Sequence, residues 1–176
     1  VGLVEGLAWE EIIAGLQSLP SSAQLRLVAV VGPNGSTLLD DTYNASPAST
    51  IAALNLLDDL AATRKIAVLG DMMELGSFEE EGHRKVGCRA ADVVDLLIVI
   101  GQRARLIADE AEACGLAGSQ ILEMQSNRAA IDYLKKKLEP GNIALIKGSN
   151  SQKMAEIVSA LMDKANGPTS AKEDRV

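Results

Sequence analysis

The chain has 176 residues and a formal net charge of −7, so it can form one domain with a sizeable core but lacks the basic excess that a nucleic-acid surface needs. Hydrophobic residues make up 47% of the sequence and aromatic residues only 2%, so the core must be aliphatic. No apolar run is long enough to cross a bilayer, and the chain does not open with a signal-peptide pattern. We therefore expect a soluble, cytoplasmic protein.

The first 22 residues and the last 13 are predicted to lie outside the main domain. Residues 1–19 have the apolar periodicity of an amphipathic helix that ends at Pro20. A single helix followed by a linker has no core of its own, so we interpret residues 1–22 as the trailing part of a preceding domain. Residues 23–163 form the predicted domain, and residues 164–176 are a polar tail that we expect to be disordered.

A hairpin is predicted to open the domain. A β-branched run at residues 27–31 predicts a strand that leads into Asn34 and Gly35, and residues 37–39 predict a returning strand. This is the pattern of a hairpin with an Asn-Gly turn. The phrase GPNGST resembles a phosphate-binding loop only superficially. It lacks the GK[ST] lysine and leads into a strand, so we predict a structural turn.

The rest of the domain alternates short apolar runs with amphipathic helical patterns. Strands are predicted at residues 66–69, 96–100, 121–124 and 143–146, and helices at residues 48–62, 78–92, 102–114, 126–138 and 150–162. This alternation predicts a mostly parallel sheet covered on both faces, with the hairpin strand at its start. The predicted fold class is α/β, a Rossmann-like three-layer domain.

The two cysteines, Cys88 and Cys114, are far apart in the sequence, and each lies in a helical pattern. This placement fits a reducing compartment better than a disulfide framework, and we expect two small, buried thiols. The single histidine, His83, has no cysteine or histidine cluster near it, so no zinc site is predicted.

The stretch LLDDTYNASP at residues 38–47 combines a strand end, two carboxylates and a helix start. In an open α/β sheet, ligands bind at the carboxyl ends of the strands. Asp41 is suited to accept hydrogen bonds from ribose hydroxyls, although it is also suited to cap the next helix. Asp40 is the weaker candidate because adjacent strand residues point to opposite faces. Tyr43 and Asn44 are suited to hold adenine or the triphosphate.

Two further strand ends carry candidate residues. Asp71 and Glu74, in the loop GDMMELG, are suited to bind an amine or to organise the loop around it. His83 follows and either touches phosphate or substrate or is structural. Lys147 and Ser149 end the last strand and open a predicted helix, whose amino terminus favours a carboxylate; Ser149 acting only as a helix cap is the alternative.

These pieces together resemble a known family. LLDDTYNASP is similar to the DDxYNANP signature of the ATP-dependent muramyl ligases, and three other pieces follow the family's order and spacing. They are Arg26, the stretch AVLGDMMELG at residues 67–76 with His83 and Gly87 after it, and IKGS at residues 146–149. The resemblance covers residues 26–162. The chain departs from the family's usual residues at Leu25, Ser46 and Asn150.

The resemblance implies roles for the candidate residues. It implies that Arg26 reaches the ATP phosphates, that Asp41 contacts the ribose, and that Tyr43 and Asn44 complete the ATP contacts. It also implies that the remaining candidates face the substrate; they are Asp71, Glu74, His83, Lys147 and Ser149. No metal ligand and no catalytic residue is assigned within this chain alone.

The activity implied by the resemblance is ATP-dependent ligation in peptidoglycan precursor synthesis. The pattern points to the members that join D-alanyl-D-alanine to UDP-N-acetylmuramoyl-tripeptide through an acyl phosphate. ATP and Mg²⁺ are needed, and Mg²⁺ is expected to be held by a central ATPase domain, since no GxxxxGK[ST] occurs here. We therefore interpret this chain as the carboxyl-terminal domain, inactive by itself. The alternatives are a sister muramyl ligase for another amino acid, a free-standing nucleotide-binding module and a structural interaction domain.

Overall fold

A six-stranded sheet forms the centre of the protein, whose computed structural model describes residues 27–162. The strands are β1 (Val28–Val31), β2 (Thr37–Asp41), β3 (Arg64–Gly70), β4 (Leu96–Ile100), β5 (Ile121–Met124) and β6 (Asn142–Lys147). Their order is β1-β2-β6-β3-β4-β5, in which only β1 is antiparallel to its neighbour. The predicted Rossmann-like α/β fold with an N-terminal hairpin strand is confirmed.

Five helices cover the sheet and divide the core into two layers. They are α1 (Pro47–Asp59), α2 (Glu79–Val93), α3 (Arg105–Ala113), α4 (Asn127–Lys137) and α5 (Ala155–Leu161). Helices α1, α2 and α3 pack on one face against residues such as Leu69 and Leu97. Helices α4 and α5 pack on the other face against residues such as Val68 and Ile98. Alternate residues of one strand therefore serve opposite layers, as the pleat requires.

The predicted Asn-Gly turn is present between β1 and β2. Asn34 and Gly35 have positive φ values of 58° and 75°, a backbone conformation that these two residue types tolerate best. The Asn34 side-chain amide also donates to the carbonyl of Leu138 at 3.0 Å. This bond fixes the hairpin to the end of α4.

Two helix predictions need correction. The first helix ends at Asp59, and Ala61, predicted to face inward, is exposed. The last predicted helix is split into a 3-10 turn at Asn150–Gln152 and α5, because Lys153 adopts a left-handed backbone conformation with φ of 50°. The residues predicted to face inward from this segment are nevertheless all buried; they are Met154, Ile157, Val158 and Leu161.

The prediction of two buried thiols is wrong. Cys88 on α2 and Cys114 at the end of α3 are both exposed and are joined by a disulfide, with their Cα atoms 5.3 Å apart. The helices can approach this closely because α2 carries Gly87 at the contact, where a Cβ atom would collide with the carbonyl oxygen of Ile107. The pairing follows from the packing of two helices, which the spacing of the cysteines does not reveal.

Three predictions fall on residues that the structure does not describe. The amphipathic helix and linker of residues 1–22, Arg26, and the polar tail of residues 164–176 all lie outside residues 27–162. Within the described part of the chain, no helix has the length and apolar character needed to cross a membrane.

Candidate functional site

The carboxyl ends of β2, β6 and β3 meet at one edge of the sheet and bring the sequence candidates together. Asp41 is the register partner of Lys147 across β2 and β6, and Lys147 is also opposite Leu69 in β3. Segments that lie more than a hundred residues apart in the chain therefore share one corner. This is the edge at which ligands of open α/β sheets bind.

An ion pair lies at the base of this corner. The Lys147 ammonium donates to Oδ2 of Asp41 at 2.6 Å and to the carbonyl oxygen of Asn44 at 2.9 Å. Lys147 is 2% exposed and Asp41 9% exposed, so both charges are nearly removed from water. Burial of either charge alone would be unfavourable, so each charge depends on the other. Lys147, predicted to face substrate, thus has its ammonium directed at the loop that follows β2.

The loop from Asp41 to Pro47 is held rigidly at both ends. Beyond the ion pair, Ser46 caps α1 through a reciprocal pair of bonds with Ser49, and Pro47 occupies the first turn as predicted. Between these anchors Tyr43 is 46% exposed and Asn44 is also exposed. The two side chains proposed for nucleotide contact are therefore presented to the surface by a fixed backbone.

Three depressions surround Tyr43. The first, about 300 Å³, lies between the loop and α1; the second, about 420 Å³, lies toward α5; the third, about 210 Å³, lies toward the β3–α2 loop. Asp41 and Lys147 line the first, Asp40 and Lys153 the second, and Glu74 and Ser149 the third. Asp40 itself accepts bonds from the backbone and hydroxyl of Thr42, which orders the turn.

Asp71 is buried and fully engaged with the protein. Its Oδ1 accepts the backbone N–H groups of Arg103 and Ala104 at 3.0 and 2.8 Å, which otherwise lack partners ahead of α3. Its Oδ2 accepts from the Gln152 side chain at 3.2 Å. The carboxylate thus joins three loops, and a ligand contact by Asp71 stays a prediction.

His83 lies beneath the β3–α2 loop, with no exposed surface. Its Nε2 accepts the Met72 N–H at 3.1 Å, while its Nδ1 lies 2.6 Å from the carbonyl oxygen of Glu79. These partners require the neutral tautomer with the proton on Nδ1. Both ring nitrogens of His83 therefore have partners within the protein, and contact with phosphate or substrate stays a prediction.

Ser149 and Glu74 occupy different environments. The Ser149 hydroxyl, nearly buried, accepts the Met73 N–H at 2.8 Å, and its own N–H donates to the Asp71 carbonyl at 3.0 Å. Ser149 stands at the N-cap position of the 3-10 turn Asn150–Gln152, but its side chain makes no capping bond there. Glu74 is exposed at the rim with a positive φ of 63°, a strained conformation for a glutamate.

Sequence reasoning missed Gln152 and Arg103. Gln152 bonds Asp71, and Arg103 bonds the Glu79 carboxylate at 2.6 Å. Neither residue belongs to a recognisable motif, and both act on residues far away in the chain. Among residues 27–162, no group of three or more His, Cys, Asp or Glu side chains is placed to hold a metal ion.

Comparison with known proteins decides the family. The family model described as "Mur ligase, glutamate ligase domain" matches residues 25–150, well over half of the chain. The chain belongs to the Mur ligase family. The family resemblance seen in the sequence motifs is therefore confirmed, and the match is to the carboxyl-terminal domain of these ligases.

Curated members of the Mur ligase family are similar to nearly all of this chain. The UDP-N-acetylmuramoyl-tripeptide–D-alanyl-D-alanine ligases of Bacillus subtilis and Synechocystis are 30% and 32% identical to it, over 92% and 94% of its length. The matched region is 35% of each relative. The chain therefore spans about a third of the length of these curated relatives.

Solved structures give the same result. A crystal structure of MurF from Acinetobacter baumannii matches with a TM-score of 0.68 and 29% identity, over 93% of this chain and 35% of that one. MurF from Thermotoga maritima, solved in complex with ADP, matches with a TM-score of 0.64 over 85% of this chain and 35% of that one. At 24% identity, the latter supports the fold alone.

Proposed function

We propose that this chain is the carboxyl-terminal domain of an ATP-dependent ligase that adds D-alanyl-D-alanine to UDP-N-acetylmuramoyl-tripeptide. The named ligases that match more than 90% of the chain support this activity. The observation that carries the proposal is the open corner beside the Asp41–Lys147 pair, from which Tyr43 and Asn44 are exposed. A corner of this kind is able to meet a nucleotide held by another domain.

The corner is chemically suited to the nucleoside part of ATP. The Lys147 ammonium donates to Oδ2 of Asp41. We propose that the other carboxylate oxygen, Oδ1, accepts the ribose hydroxyls. The Tyr43 ring offers a flat apolar face for adenine, and the depression beside it, about 300 Å³, fits a nucleoside better than a whole triphosphate. Arg26 is proposed to reach the phosphates.

The substrate side of the proposal is the rim of the third depression. Glu74 is exposed there and is suited to pair with the amine of an incoming dipeptide. Asp71, His83 and Ser149 support the rim by holding its backbone, and Lys147 supports the nucleotide corner. Groups fixed in this way lower the cost of aligning two reactants.

The remaining chemistry is proposed to come from outside this chain. ATP and Mg²⁺ are needed to form and stabilise an acyl phosphate, and the described side chains show no cluster suited to the metal. We propose that a central domain holds Mg²⁺ and the triphosphate, that this domain closes over them, and that the enzyme works in the cytoplasm. The 176-residue chain alone is expected to hydrolyse no ATP.

An amide-detected NMR titration of the chain tests the proposal. ATP is expected to bind weakly and to shift the resonances of Tyr43 and Asn44, and D-alanyl-D-alanine those of Glu74. Tyr43→Ala should abolish the ATP shifts, whereas Phe78→Ala, at an exposed aromatic residue outside the three depressions, should leave them unchanged. Tight ATP binding with no dipeptide response would favour a free-standing nucleotide module. If neither ATP nor D-alanyl-D-alanine shifted any amide resonance, the proposal would be overturned.

A further inference from the structure

The Cys88–Cys114 disulfide is an exposed crosslink between two helices. The chain contains only these two cysteines, which are 26 residues apart and both exposed. Their Cα separation of 5.3 Å lies in the middle of the range that a disulfide accepts. Since the bond lies on the surface, small thiols and disulfides in solution can reach it.

The disulfide is the second of two crosslinks between the same helices. One turn earlier on each helix, Arg84 of α2 donates to Glu110 of α3 at 2.9 Å. Both links have the same offset along two parallel helices, and Gly87 lies between them at the closest approach. The ionic link is partly exposed, with the Arg84 and Glu110 side chains 40% and 29% exposed, so it contributes little. The covalent link therefore adds a fixed limit to the separation of α2 and α3 at this end, beside the apolar packing of the two helices.

The same two helices hold the loop at the edge of the candidate site. His83 on α2 accepts the Met72 N–H, and the backbone N–H groups leading into α3 bind the Asp71 carboxylate. Arg103, just before α3, also bonds Glu79 at the start of α2. Residues 71–75 are thus held from both helices at once, and a change in the spacing of the helices acts on this loop.

We propose that Cys88–Cys114 is a reversible redox switch that controls the rigidity of the α2–α3 pair and of the loop at residues 71–75. The reaction partner is a low-molecular-weight thiol of the glutathione type and its disulfide. In the cytoplasmic location proposed above, disulfides are usually transient or redox-sensing, which favours a switch over a permanent staple. The effect of the disulfide on stability does not depend on the proposed ligase activity, whereas the choice of a switch over a permanent crosslink rests on the proposed cytoplasmic location.

Exchange begins at Cys88. This residue lines an open groove of about 520 Å³ along α2, whose other lining residues include the cations Arg84 and Lys85 and the carboxylates Glu80, Glu81 and Glu110. A thiolate entering the groove attacks Sγ of Cys88, the Cys88–Cys114 bond breaks, and Cys114 leaves as a thiolate that takes a proton from solvent. A second thiolate then attacks the sulfur of the bound small thiol, Cys88 leaves as a thiolate that takes a proton from solvent, and the two small thiols depart joined by a disulfide bond. The net change converts one protein disulfide and two small thiols into two cysteine thiols and one small disulfide.

Thiol counting on the intact chain is the first test. Protein purified without reductant and quenched in acid is expected to show no reactive thiol and a mass two hydrogens below that of the protein treated with dithiothreitol, which should show two thiols. Because the chain has no other cysteine, the count is unambiguous. Two free thiols that glutathione disulfide fails to oxidise would overturn the proposal.

Stability and loop dynamics form the second test. Closing a loop of this length should raise the Tm of the oxidised form by roughly 7–14 °C over the reduced form. Amide hydrogen exchange should quicken on reduction at residues 71–75 but not at residues 125–126, on the turn between β5 and α4. The double variant Cys88→Ser/Cys114→Ser should match the reduced protein under both conditions. Equal Tm values for the oxidised and reduced forms, or equal rates of amide exchange at residues 71–75 in both forms, would refute the switch.

The site of attack has its own test. The single variant Cys114→Ser keeps the groove-lining thiol and should form a mixed disulfide with glutathione disulfide faster than Cys88→Ser does. The reverse order of rates would overturn the assignment of Cys88 as the attacked sulfur.

Discussion

Replacement of Lys147 by methionine tests whether the buried ion pair supports the candidate site. Methionine keeps the straight aliphatic stem but removes the ammonium that bonds both Asp41 and the Asn44 carbonyl. The substitution leaves the Asp41 carboxylate almost buried and unpaired, which in general costs about 3–5 kcal/mol. Asp41 borders an open depression from which water can reach its second oxygen, so the lower end, about 3 kcal/mol, is expected here. The Tm should fall by roughly 6–12 °C.

Urea unfolding with the disulfide kept oxidised measures this loss. Asp41→Asn should cost less, about 1.5–3 kcal/mol, because an amide oxygen and the Asn44 carbonyl still accept from the ammonium. The double variant Asp41→Asn/Lys147→Met should cost less than the sum of the two single variants, since it leaves no uncompensated charge. Lys153→Met is the matched control, an exposed lysine at the same edge, and should change stability by no more than about 0.5 kcal/mol. A loss below about 1 kcal/mol for Lys147→Met, or strict additivity, would refute the role given to the pair.

Three other substitutions have definite expected outcomes. Gly87→Ala places a methyl group against the Ile107 carbonyl, so it should cost about 1–3 kcal/mol in urea unfolding and slow disulfide formation; unchanged values would contradict the close helix contact. His83→Gln, which retains an acceptor for the loop N–H, should be more stable than His83→Ala by about 1–3 kcal/mol, and equal stabilities would argue against that bond. The Arg89 guanidinium, chiefly through its hydrogen bond, holds the pKa of Asp58 below its ordinary value. The pair therefore stabilises the fold at neutral pH, and this stabilisation is lost as the pH falls through the lowered pKa. Carbon-13 titration of Arg89→Gln should show the pKa of Asp58 returning upward, and no movement would refute the assignment.

Much of the fold follows from local sequence rules. The strands at Leu96–Ile100 and Ile121–Met124 have the predicted bounds because short apolar runs are flanked there by polar or turn-forming residues. The hairpin follows from the positive φ values that Asn34 and Gly35 accept. Helix ends were less predictable. The break at Lys153 has no glycine or proline to announce it, and the chain bends there so that Gln152 can bond Asp71 while Met154 stays in the core.

The sequence indicates which residues to consider for the candidate site but not how these residues are connected. Asp41 and Lys147 were assigned separately to nucleotide and substrate, yet they are 106 residues apart and bond each other. The disulfide escaped prediction for the same reason, since the register between α2 and α3 depends on Gly87 and on the packing of both helices on the sheet. Sequence periodicity identifies which side of an element faces the core. It does not give the offset between neighbouring elements, and these pairings depend on that offset.

The candidate residues divide by exposure in a way that is informative about the site. Asp71, His83 and Lys147 carry groups able to bind a ligand, but each group is buried and bonded to the backbone or side chains of a neighbouring loop. Tyr43 and Glu74 face the surface from the loops so held. Buried polar groups are stable only when their partners are fixed, so these bonds hold the surrounding loops in place. If the exposed side chains meet ATP and a dipeptide as proposed, this rigidity reduces the entropy lost on binding, and substitutions at the buried residues should weaken binding without removing a ligand contact.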